Sequence, residues 1–128
     1  MELFKKIDCI RLYVPDLEKG LEYYHTKLGL PIAWKSNSAI GFLMGDGQGE
    51  LVIQNTDKWQ ETDLKVESVE DAIKKIQEAG GQVITGPFEI AIGNCAVVAD
   101  PWDNQMVILD STKGTFVTDS EGNILGKN

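Results

Sequence analysis

Apolar and polar residues alternate through the first strand-like stretch. Ile10, Leu12 and Val14 fall between Cys9, Arg11 and Tyr13, the period-2 pattern of a half-buried strand. Pro15-Asp16 ends that run, and Asp16 is suited to accept the orphan amides of a following helix. Leu17, Leu21, Tyr24 and Leu28 then recur at helical spacing, which predicts a helix over 17–28 with one buried stripe. Gly29 and Pro31 stop it. Short apolar runs at 32–35 and 39–44, joined by Ser36-Asn37-Ser38, read as strands. The turn Gly45 to Gly49 leads into another at 50–54.

The same order returns. Leu64 and Val66 alternate with Asp63 and Lys65, Ser68 with Asp71 forms an approximate capping box, and Val69, Ala72, Ile73 and Ile76 make a helical stripe ended by Gly80-Gly81. Strands are expected at 62–67, 82–86, 95–99 and 105–110. Val14, Leu17, Glu18 and Leu21 match Val66, Val69, Glu70 and Ile73 at one constant offset. GDGQGELVIQN (45–55) is echoed by DPWDNQMVILD (100–110). The fold class expected is α+β, two paired βαβββ modules forming an eight-stranded half-barrel sheet with outer helices and a concave ligand face. One domain over 1–110 holds module one, about 5–55, and module two, about 61–110, with Asn55 to Gln60 linking them. The extension 111–128 reads as a small hairpin packed on the domain or on a partner, with a frayed end as the alternative.

Composition narrows the function. Net charge is −8 over 128 residues, which argues against nucleic acid, because phosphate backbones call for clustered Lys and Arg. No apolar run approaches a membrane span. Met1 to Lys6 leads into no signal-peptide core, so a cytoplasmic location is expected. Two cysteines are too few for a disulfide scaffold.

Alternation also assigns a face. If Ile10, Leu12 and Val14 meet the first helix, then Cys9, Arg11 and Tyr13 point the other way, as do Glu61, Asp63 and Lys65. Glu50 and Gln54 join them, with Gln105, Val107 and Leu109. Trp34, Phe42 and Met44 are available as apolar walls, though alternation leaves the direction of their strands open. Carboxylates, one Arg, one Lys, amides and aromatics suit a polar organic ligand. The competing structural reading pairs Arg11 with Glu61 or Asp63 across the sheet. His25, the only histidine, lies off the helical stripe and reads as a surface residue. Trp59 and Trp102 lie in polar loops and mark a groove rim or a dimer surface.

The segment CIRLYVPDLEKGLEYYHTKLGL and the ending DPWDNQMVIL resemble the glyoxalase/bleomycin-resistance/extradiol-dioxygenase superfamily, also called vicinal oxygen chelate proteins. The likeness covers about 5–110. It implies that catalytic members hold a divalent metal through the first and last strands of each module. Carried over, those positions are Cys9, Glu61, Val52 and Val107, with Glu50 two residues before Val52. Two are hydrocarbon, so no metal cofactor is expected, and a Cys9/Glu50/Glu61 site for a softer metal is the alternative. The expected function is binding of a small polar or cationic organic molecule by a homodimer, with no catalytic residue assigned. A superfamily enzyme (lyase, isomerase or dioxygenase type) with an altered metal site is one alternative. A non-catalytic association domain is the other.

Overall fold

A computed structural model describes residues 2–128. The chain divides into two compact units, one of residues 8–61 with 116–128, the other of residues 62–115 with the N-terminal residues up to Ile7. Each follows the expected βαβββ order with four strands, and the tail adds a two-stranded hairpin to the first.

In the first unit the strands are β1 (Lys6–Tyr13), β2 (Ile32–Lys35), β3 (Ala39–Leu43) and β4 (Glu50–Gln54), ordered β2-β3-β4-β1. β1 and β4 run parallel, while β3 is antiparallel to both its neighbours. Asp16 caps helix α1 (Leu17–Leu21) as expected, accepting from the Glu18 and Lys19 amides at 3.1 and 3.2 Å. The helix core is Ile40, Phe42 and Ile53, with Val14, Leu17, Leu21, Tyr24, Leu30 and Ile32 packed against it.

Leu28 departs from the expected stripe and is exposed. After Leu21 the helix widens into a π-helical stretch, Glu22–Lys27, in which the Leu28 amide donates to the Tyr23 carbonyl five residues back. The wider turn rotates Leu28 off the sheet, and Leu30 packs there instead. His25 is exposed as expected, its Nδ1 donating to the Leu30 carbonyl at 2.7 Å.

The tail forms the hairpin β9 (Phe116–Thr118) and β10 (Ile124–Lys127). It meets the outer strand of this unit: the Lys35 amide donates to the Gly122 carbonyl at 2.8 Å, and Lys35 and Asn123 form a bridge. An edge that would otherwise offer unpaired backbone groups is thereby covered.

In the second unit β5 (Glu61–Lys65, its first residue falling in the first unit), β6 (Gln82–Ile90), β7 (Gly93–Ala99) and β8 (Gln105–Leu109) are ordered β5-β8-β7-β6. Helix α2 (Val69–Glu78), capped by Ser68, buries Val69 and Ala72 against Val66, Ala96, Val98 and Ile108. The β6–β7 hairpin is longer than expected. The strand expected over 82–86 continues through Gly86-Pro87 to Ile90, because β6 is outermost in its unit and carries register shifts around that dipeptide.

Asp110 organises this unit's end. Its buried carboxylate accepts from the Val69 amide at 2.8 Å, the Asn94 amide at 2.9 Å and the Thr112 hydroxyl at 3.0 Å. Burial works to raise its pKa, but these hydrogen bonds prevail and hold it below the ordinary aspartate value.

Candidate functional site

The first unit buries one sheet face under α1 and leaves the other to side chains of a different character. Arg11, Val52, Gly41 and Trp34 stand in one row across β1, β4, β3 and β2, with Cys9 beside Glu50 and Tyr13 beside Gln54. Register therefore places Cys9, Arg11, Tyr13, Trp34, Glu50 and Gln54 on the same face. Phe42 is a correction: it is fully buried on the helix face and is no wall of this one, while Met44 lies exposed beyond the strand end.

Trp34 shapes the face. Its indole lies over Gly41, where any Cβ would overlap the five-membered ring. From there Nε1 donates to Glu50 Oε1 at 2.7 Å. The indole thus spans from β2 to β4 and covers a floor of Cys9, Ala39 and Val52, each at most 4% exposed. Sequence alternation does not reveal this, because the contact depends on residue 41 lacking a side chain. The glycine itself was the available signal, since a mid-strand glycine marks a close approach.

Arg11 faces Glu61, with Nε 3.7 Å from Oε2 and the two side chains 27% and 25% exposed. Glu61 is one of the two partners expected for Arg11. Gln54 is on the expected face but serves the adjoining loop. It donates to the Asp57 carbonyl at 2.6 Å and accepts from the Thr56 and Asp57 amides at 2.8 Å each. Tyr13 is half-buried.

The remaining candidates belong to the second unit. Asp63 is buried, Lys65 is half-buried and contacts the Ser111 hydroxyl, Val107 is half-buried, and Gln105 is exposed. Asp63 and Val107 are register partners, as are Lys65 and Leu109. Trp102 is 79% exposed in the second unit and Trp59 is 64% exposed in the first.

The donors do not fit a resident divalent metal. Glu50 holds the indole N–H, Glu61 faces a guanidinium, and Val52 and Val107 have no lone pair to offer. Among the described residues no three His, Cys, Asp or Glu side chains are grouped to share an ion. Cys9 and Cys95 are buried, unbridged thiols.

Paired βαβββ modules, each with a helix on one sheet face, define an α+β protein of the repeated-module kind. Residues 6–108 match the model of the Glyoxalase/Bleomycin resistance protein/Dioxygenase superfamily, and the chain belongs to that family. It is 33% identical over 121 residues to Glyoxalase 1 of Caenorhabditis elegans. The match takes in 79% of this chain and 41% of that protein, so the chain spans well under half the length of this relative. Among solved structures, a methylmalonyl-CoA epimerase is 12% identical with TM-score 0.73, over 88% of this chain and 99% of the other. An extradiol ring-cleaving dioxygenase from B. fuscum is 21% identical with TM-score 0.61, over 85% and 33%. These likenesses establish the fold. No helix among the described residues is long and apolar enough to cross a membrane.

Proposed function

We propose that this protein binds a small polar organic molecule on the first unit's open sheet face, without the divalent metal its family commonly uses. The observation that carries the reading is the composition of that face. Two carboxylates, one guanidinium and an indole share that face with an apolar floor, Glu50 bonded to the indole and Glu61 facing Arg11. Such a mixture of apolar wall and a few placed polar groups is what ligand sites require. Net charge of −8 favours ligands that carry positive charge. A cytoplasmic, two-fold homodimeric protein is part of the proposal. Buried thiols that form no disulfide support the location, and the exposed Phe116, Val117, Ile124 and Leu125 of the tail hairpin support the assembly.

The test is a thermal-shift screen of cationic antibiotics, glutathione thiohemiacetals and catechols, run on the wild type and on Glu61→Gln. A saturable shift by an unchanged ligand, lost in the variant, supports the reading. No shift of the wild-type protein by any compound overturns it. A second reading, a family enzyme with an altered metal site, draws its support from the likeness to Glyoxalase 1. Turnover of a thiohemiacetal by the protein would establish that reading instead.

A further inference from the structure

The Arg11–Glu61 pair is incomplete by its own geometry. The separation of 3.7 Å from Nε to Oε2 lies beyond the range of about 2.7–3.2 Å of an N–H···O bond. Among the described residues the guanidinium makes no protein hydrogen bond, and the Glu61 carboxylate has no partner besides Arg11. Both side chains are nonetheless about three-quarters withdrawn from water. About a quarter of each side chain stays open, so a ligand can reach both groups. A guanidinium offers five donors in a planar fork that matches a carboxylate, and a carboxylate accepts from an ammonium group.

A ligand of single charge meets this pair badly. An anion drawn to Arg11 faces Glu61 as a like charge, and a cation drawn to Glu61 faces Arg11. A molecule with both charges on neighbouring atoms meets both groups favourably. We infer that Arg11 and Glu61 form the receptor for a small zwitterion of the α-amino-acid type, its carboxylate on the Nη groups of Arg11 and its ammonium on Glu61. The inference rests on the small-molecule reading of this face given above and names its ligand class. Arg11 shares its row with Val52, Gly41 and Trp34. Adjacent strands lie about 4.8 Å apart, so the ligand's side chain has within reach the indole that covers Val52.

The experiment titrates the full chain with each of the twenty standard amino acids, followed by calorimetry or protein NMR. The best ligand is then compared with its carboxamide, its decarboxylated amine and its des-amino acid. The expected result is saturable binding of the parent, with each single-charge or capped analogue weaker by about tenfold or more. Arg11→Gln should lower affinity for the parent to that for the carboxamide and leave the carboxamide unaffected. Glu61→Gln should do the same with the des-amino acid. The analogue series needs only the wild-type protein, so a variant that fails to fold does not stall the test. Analogues that bind as tightly as the parent overturn the inference, as does the failure of all twenty at millimolar concentration. If amino acids fail while the broader screen finds a ligand sensitive to Glu61→Gln, the zwitterion inference falls and the small-molecule reading stands. If neither finds a ligand, both fall.

Discussion

The indole N–H of Trp34 reaches Glu50 Oε1 at 2.7 Å across the strand that separates them, over a residue with no side chain. Gly41 is what permits the crossing. Gly41→Ala should force the indole off the floor and destabilise the protein by about 1–3 kcal/mol, the usual range for overpacking. In a Trp34→Ala background the same change should cost much less, because the clash is gone. Urea unfolding of the four proteins measures the coupling. Additive effects would contradict the stacked arrangement.

Asp110 is expected to give the protein part of its acid sensitivity. Its folded pKa lies below the ordinary aspartate value, so the proton binds more weakly to the folded state than to the unfolded chain. Its contribution is present in full above that unfolded value and is lost as pH falls through the folded one. Asp110→Asn should cost about 1–3 kcal/mol at neutral pH and flatten the stability curve below pH about 4. Unfolding free energies of the two proteins from pH 6 to pH 2 check both the size and the sign. An unchanged slope in the variant would refute the assignment.

Purified protein should contain no stoichiometric nickel, zinc, manganese or iron, and added metal should leave its melting temperature nearly unchanged. An ion at 100 times its dissociation constant would contribute about 2.7 kcal/mol, or about 10 °C for a chain of this length. Elemental analysis giving one equivalent, abolished by changing Cys9 and Glu61 together, would overturn the metal-independent reading.

Light scattering at micromolar concentration should report a dimer. Replacing Leu125, 66% exposed on the tail hairpin, with Glu should shift the population toward monomer if that hairpin lies in the interface. A monomer in the wild type at all concentrations would refute the assembly.

Much of the architecture is legible in the chain, for a physical reason. Ile10 and Leu12 against Cys9 and Arg11 is a period-2 signal that a strand cannot hide, and Asp16 and Ser68 cap as their chemistry requires. Leu28 was illegible because a π-helical turn inserts a residue without changing composition. Trp34 sits in a four-residue strand with a register shift, too short for alternation to fix its face. Gln54 shows a different limit, since its face is readable but its amide is engaged by loop residues that no periodicity connects to it. Asp110 reads as the end of a strand. Its role as an acceptor for the distant Val69 and Asn94 amides exists only once α2 and β7 have come together.

The hairpin that covers β2 also fixes an order of events during synthesis. The first unit is drawn from two stretches, 8–61 and 116–128, and residues 62–115 of the second lie between them. A chain emerging from a ribosome therefore presents β1 to β4 early but must wait for Gly122 before Lys35 finds its backbone acceptor. By then the whole of the second unit has been released. Strands β1 to β4 are made well before the hairpin that completes their edge, and until then the outer strand is exposed to any neighbouring chain.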